Sequence, residues 1–254
     1  VVDVVDGVGR GRSVTLVIAH RGASAARQQN TLDAFRLAVE MGTDFIELDV
    51  RRSRDDVLII HHDAHLPDGR FIVEHDYDDL PDFVPTLAEA LDACEGARVN
   101  IEIKNEPDEP DYDAEHQISD AVVGLALAFR EPEQLLVTSF NLDTVKRIRA
   151  VDASVPVGFV TGSDILQVQM VVDFVVESEM RAIVPHDTTV DRRFVERAHQ
   201  AGLMVYPWTV NDEERMSELL ELGVDGIITD LPDVARGVVD DSVDQEGGGG
   251  SGAS

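Results

Sequence analysis

Only one cysteine, Cys94, occurs in the 254 residues, so no internal disulfide can form. A reducing, cytoplasmic home is expected, with Cys94 a buried, inert thiol in the helical pattern LAEALDAC. No apolar run approaches the roughly 20 residues that a membrane span needs, and the first residues lack the basic-then-apolar pattern of a signal peptide. Positive charge is scarce: 21 Lys and Arg stand against 50 Asp and Glu, a net charge of −29. That balance excludes nucleic-acid binding, which takes an excess of basic residues. Lysine itself is almost missing, present only as Lys104 and Lys146. Such a composition fits adaptation to high salt, where self-repulsion is screened, or an acidic mesophilic protein from a GC-rich genome. No basic amphipathic segment suggests stable membrane association.

What is present is a regular alternation. The segment Thr15–His20 is apolar throughout and reads as a strand buried on both faces. Thr31–Met41 reads as an amphipathic helix with Asn30 as its cap rather than a ligand. Phe45–Val50 is a second strand, and Ser53–Asp56 is too short and polar for a crossover helix, so Val57–His62 should return antiparallel. Asp63–Pro85 reads as a polar loop and Thr86–Cys94 as a helix. Strands follow at Arg98–Lys104, Leu135–Phe140, Pro156–Val160, Ala182–Pro185, Met204–Thr209 and Gly226–Thr229. Helices between them are expected at Glu115–Phe129, Leu142–Ala150, Ile165–Ser178, Arg192–Ala201 and Asp212–Leu222, with Leu231–Val239 last. With the hairpin return counted as an excursion, eight strand–helix units fill about 230 residues. This is the pattern of an α/β protein of (β/α)8 TIM-barrel type, with a β-hairpin excursion and a short insertion after strand 2. An open doubly wound sheet lacks support, since no glycine-rich phosphate loop follows the first strand. The expected division is an N-terminal arm at 1–12, one barrel domain at 13–240, and an acidic tail with an engineered Gly/Ser linker at 241–254.

The chemistry collects at the C-terminal ends of these strands, where barrels of this class place their sites. Strand parity puts Glu47 and Asp49 on one face of Phe45–Val50, and Glu102 and Lys104 on one face of Arg98–Lys104. His20 and Arg21 end the first strand, and the hairpin returns His62 roughly level with Asp49. Three inward carboxylates form an all-oxygen set suited to one Mg²⁺ or Ca²⁺. The alternative is a salt-bridge network with Arg21 and Lys104. Phe140 and Trp208, at two further strand ends, are candidate walls. His186 also lies at the right end. His61 should point away, and His65, His75, His116 and His199 read as surface residues.

In order, HRG at His20–Gly22, NT at Asn30–Thr31, ExD at Glu47 and Asp49, and HD at His62–Asp63 line up along the chain. ExK at Glu102 and Lys104, SF at Ser139–Phe140, WTVN at Trp208–Asn211 and GVDGIITDLP at Gly223–Pro232 complete the set. Together these resemble the glycerophosphodiester phosphodiesterase family. The resemblance implies a (β/α)8 barrel that hydrolyses a small glycerophosphodiester to glycerol phosphate and an alcohol. It implies a divalent metal on Glu47, Asp49 and Glu102, His20 and His62 as the acid–base pair, and Arg21 and Lys104 on the phosphate. It further implies attack by a neighbouring substrate hydroxyl, giving a cyclic phosphate that water opens. A phospholipase-type phosphodiesterase and a non-catalytic phosphate-binding barrel are the alternative readings. Two departures stand out: Gln29 replaces the family's usual Glu, and the segment from His62 to Pro85 is shorter than the subdomain many members carry there. The oligomeric state is not legible.

Overall fold

The computed structural model describes residues 14–164 and 179–248. Its strands are β1 Leu16–Ala19, β2 Phe45–Arg52, β3 Leu58–Ile60, β4 Arg98–Ile103, β5 Leu135–Ser139, β6 Val157–Thr161, β7 Ala182–Pro185, β8 Met204–Val205 and β9 Gly226–Thr229. The helices are α1 Leu32–Glu40, α2 Leu87–Ala93, α3 Gln117–Phe129, α4 Leu142–Val151, α5 Arg192–Gln200, α6 Glu213–Leu222 and α7 Pro232–Gly248. The expected helix Ile165–Ser178 lies outside the described residues.

All strands but β3 pair in parallel, in the order β8-β7-β6-β5-β4-β2-β1-β9. The two end strands meet through Asp225 N to Val205 O at 3.1 Å and Ile228 N to Pro207 O at 2.9 Å, so the sheet curls into an eight-stranded barrel. β3 pairs antiparallel with β2, Val50 opposite Ile60. The hairpin is therefore an excursion, as its polar turn predicts. Inside the barrel lie Ile18, Phe45, Leu136, Val160, Ala182, Val184, Tyr206 and Ile228. Ile46, Leu48 and Val50 of β2, and Val99, Ile101 and Ile103 of β4, instead join the layer between sheet and helices. This division is the period-2 alternation of a strand with apolar contacts on both sides.

Four expectations need correction. Asn30 does not cap α1; Thr31 does, its hydroxyl accepting from Ala34 N, because Asn30 sits in the left-handed region at φ 57°. Asp63–Pro85 is not merely a polar loop: Ile59, Leu66, Ile72, Leu80 and Val84 form a small core beneath two 3₁₀ turns. β8 stops at Val205 rather than Thr209, because Pro207 has no N–H to continue a ladder. The chain still runs extended to Trp208, whose N–H reaches Pro185 O at 3.0 Å. Finally, α7 extends past Val239 to Gly248, into the stretch that composition sets aside as tail and linker.

Candidate active site

The turn after β1 is built around Gly22, at φ 79°, where a Cβ would stand 2.7 Å from the Ala34 carbonyl carbon. Only glycine lets this turn lie against the start of α1. The turn presents the Arg21 N–H to Glu47 Oε2 at 2.8 Å. Asp49 Oδ2 accepts from Asn30 Nδ2 at 2.8 Å and ion-pairs with Arg21 Nε at 3.0 Å, though not in hydrogen-bond alignment. Asn30 is thus a site residue, holding one Asp49 oxygen. Lys104 Nζ lies 2.5 Å from Glu102 Oε1 and 3.4 Å from Asp49 Oδ1. β2 and β4 bring these groups level, Asp49 opposite Glu102.

Glu47, Asp49 and Glu102 each offer an oxygen within 4.8 Å of the others, an arrangement that can hold a metal ion. Burial pushes the Glu47 carboxyl up to about 8, helped by the Asp49 charge. Burial also raises Glu102, against the pull of Lys104. Asp49 is buried as well, yet Lys104 and Arg21 hold it well below the ordinary carboxylate range. Glu47 Oε1 is buried with no hydrogen-bond partner. An orphaned oxygen in an all-carboxylate trio is the donor set of a hard divalent cation. The salt bridges of the alternative reading are present too, but they leave that oxygen unanswered.

The two histidines approach from different elements. His20 Nδ1 stands 2.6 Å from Asp230 Oδ1, just beyond β9. Asp230 is held by Asn211 Nδ2 at 2.7 Å and Ser24 Oγ at 2.8 Å. Burial lowers the His20 pKa, but the Asp230 hydrogen bond and the Glu47 charge outweigh it, leaving His20 above 6.5. His62 Nδ1 lies 2.7 Å from Asp63 Oδ1. Its pKa falls below 6.5 because burial, with Lys104 and Arg21, outweighs the charge of Asp49. His61 rather than His62 stands opposite Asp49, donating its backbone N–H to Asp49 O at 3.0 Å.

On the far side, Phe140 and Trp208 meet edge to face with ring centroids 5.5 Å apart, and Lys104 Nζ is 5.4 Å from the Phe140 centroid. His186 packs edge-on against Trp208 with ring centroids 5.4 Å apart, its Nδ1 3.2 Å from Asp187 Oδ1. Gln29 accepts from Arg21 Nη1 at 2.9 Å, so the departure at that position bears on Arg21. His116 and His199 are not idle surface residues: His116 Nδ1 is 3.2 Å from Thr144 Oγ1, and His199 Nε2 is 2.8 Å from Asp225 Oδ2. Sequence reasoning misses Asp230, although a polar residue directly following the last barrel strand is the signal that flags His20.

The model of the glycerophosphoryl diester phosphodiesterase family matches residues 20–234. The chain is 26% identical to a glycerophosphodiester phosphodiesterase of Caldanaerobacter subterraneus, over 89% of this chain and 98% of that one. It is 27% identical to a glycerophosphodiester phosphodiesterase of Bacillus subtilis, over 86% and 84%. A solved phosphodiesterase of Oleispira antarctica, in complex with the product sn-glycerol-3-phosphate, superposes with a TM-score of 0.79. That match is 25% identical and covers 89% of this chain and 97% of the other.

Proposed function

The chain belongs to the glycerophosphoryl diester phosphodiesterase family, and from that premise we propose that it hydrolyses small glycerophosphodiesters to glycerol phosphate and an alcohol. Glu47, Asp49 and Glu102 would hold one divalent cation, Mg²⁺ or Ca²⁺. When bound, such an ion supplies Lewis-acid neutralisation of the phosphate's charge. Arg21 and Lys104, at the edge of the same trio, are suited to the non-bridging phosphate oxygens as fixed positive charges. Phe140 and Trp208 form the apolar wall on the substrate side and shield the reacting group from water.

The observation that carries the reading is the buried trio Glu47, Asp49 and Glu102 with its orphaned Glu47 Oε1, set beside two histidines each braced by a carboxylate, and burial and neighbouring charges displace those histidines in opposite directions. A pair of titratable groups whose surroundings push them apart divides naturally into acid and base. His62, held neutral, takes the proton from the attacking hydroxyl, whether a neighbouring substrate hydroxyl or water. His20, whose proton affinity Asp230 raises, gives its proton to the departing alkoxide. The test is release of glycerol phosphate from glycerophosphodiesters by the parent, by His20→Ala and by His62→Ala, with and without chelator. Each substitution should lower turnover by at least about 10²-fold with the fold intact, and chelator should abolish it. Near-parental turnover in either variant would remove that histidine from the mechanism.

A further inference from the structure

The hairpin that delivers His62 is tied down by a residue with no part in the chemistry above. Arg51 lies two residues past Asp49 on the same face of β2 and is 1% exposed, the largest fully buried side chain in the described structure. Its Nε donates to His62 O at 2.8 Å. Its Nη1 grips both oxygens of Asp111, at 2.8 and 2.7 Å, and Nη2 stands 3.5 Å from Glu109 Oε1. One guanidinium therefore joins the catalytic end of the hairpin to the segment between β4 and α3.

That segment is itself fixed. Asn105 Oδ1 accepts from Asp113 N at 2.7 Å, Asn105 Nδ2 donates to Thr144 Oγ1 at 3.1 Å, and Asn141 Nδ2 donates to Asn105 O at 2.6 Å. The hairpin, by contrast, leaves the sheet just before His62: its last ladder residue is Ile60, and His61 makes the final bond back to β2. Among the described residues, the Arg51 contact is the hydrogen bond that the His62 backbone makes. The pairing of β2 with β3 and the Ile59–Thr86 bridge hold the hairpin without it. A buried ion pair adds little net stability over an apolar residue of similar volume. Its directed geometry, Nε on His62 O and Nη1 on both oxygens of Asp111, is what an apolar residue could not supply.

We propose that Arg51 is a positioning residue for His62, setting the reach of that imidazole through its backbone carbonyl, with Asp111 as the anchor. This rests on the catalytic role of His62 proposed above. Misplacement of an acid–base group by about 1 Å can cost about 10² in rate. Arg51→Met keeps length and burial while removing the N–H groups. It should lower kcat for a glycerophosphodiester about 10²-fold, with KM and divalent-ion affinity by calorimetry within about threefold of the parent.

The deciding measurement is a double-mutant cycle with His62→Ala. If Arg51 acts through His62, Arg51→Met should cost less than about threefold in the His62→Ala background. The same loss in both backgrounds would overturn the inference while leaving His62 catalytic. Parental turnover in His62→Ala would overturn both readings. Should Arg51→Met prove unfolded by circular dichroism, Asp111→Asn, which weakens the anchor and leaves Arg51 in place, enters the same cycle under the same criterion.

Discussion

Asp230→Asn removes the carboxylate hydrogen bond that does most to raise the proton affinity of His20, while keeping a side chain of the same shape. The parent contact is short, 2.6 Å, and its carboxylate is braced by Asn211 and Ser24. A hydrogen bond to a charged partner contributes about 1.5–3 kcal/mol. Asp230 is partly open to solvent, with 31% of its side chain accessible, so the lower half of that range applies. About 1.4 kcal/mol is tenfold, and kcat/KM should therefore fall roughly 10- to 40-fold at the parent's optimum. The pH profile carries more information than the rate. On the proposed roles, the parent's acidic limb should follow His62, lowered by burial, and its alkaline limb His20, raised by Asp230 and Glu47. Without Asp230, burial of His20 is opposed only by the remaining carboxylates, so the alkaline limb should move down and the plateau narrow.

Stability gives a second readout with a definite sign. The raised His20 pKa stabilises the fold fully below the unfolded histidine value of 6.5, and that contribution is lost as pH rises through the folded value. The depressed Asp230, held down to about 2, contributes above the ordinary 3.8 and loses that contribution as pH falls through about 2. The difference in melting temperature between parent and Asp230→Asn should thus be widest between these limits, from about pH 4 to 6.5, and shrink by pH 9. An alkaline limb unmoved in kcat/KM, with the rate lowered, would refute the argument. Asp230 would then be structural support with no hold on the proton of His20.

Two further outcomes follow from the same cluster. Lys104→Arg should lose much of the activity despite its conserved charge, because a planar fork crowds a space where Nζ stands 2.5 Å from Glu102. Lys146→Arg, in an exposed i,i+3 pair with Asp143, should be neutral; equal phosphodiesterase rates for Lys104→Arg and parent would mean that charge alone matters. Glu106 has both carboxylate oxygens buried and unpartnered, and burial pushes its pKa up to about 7. A raised carboxyl destabilises the fold progressively as pH climbs from about 4.5 to 7. Glu106→Gln should therefore be more stable to unfolding than the parent at pH 8, by on the order of 1 kcal/mol, and lose that advantage at pH 5; stabilities that differ equally at both values would contradict the assigned titration.

The legible parts of this molecule are those written in short periods. The parity of Phe45–Val50 and Arg98–Lys104 alone assigns Glu47, Asp49, Glu102 and Lys104 to the mouth, because a one-residue slip would bury charge against helices. Ser53–Asp56 is too short for anything but a hairpin, so the return of His62 follows. Asn30 is the instructive failure at this range. Asn and Thr are both good caps, so Asn30–Thr31 reads equally well in two registers. The left-handed backbone at Asn30 settles on Thr31 and frees the amide for Asp49.

The groups that stay hidden are those that work by long-range pairing. Asp230 meets His20 across 210 residues and Arg51 meets Asp111 across 60, and neither pair leaves a local pattern. Both belong to one logic. Each proposed catalytic histidine directly follows a β-segment: the His20 N–H still bonds Thr229 O of β9 at 2.9 Å, while His62 has left the ladder, His61 making the last bond back to β2. His20 is steadied at its side chain by a carboxylate from the strand beside it in the closed barrel, β9. His62 is steadied at its carbonyl by an arginine from its own hairpin partner, β2. The first contact also raises the proton affinity of the imidazole, because it touches the ring. The second leaves the ring nitrogens to Asp63 and to burial. In the mechanism proposed above, the two histidines would thus carry two different kinds of tether: a charged brace on the ring of the acid, and a brace on the backbone of the base.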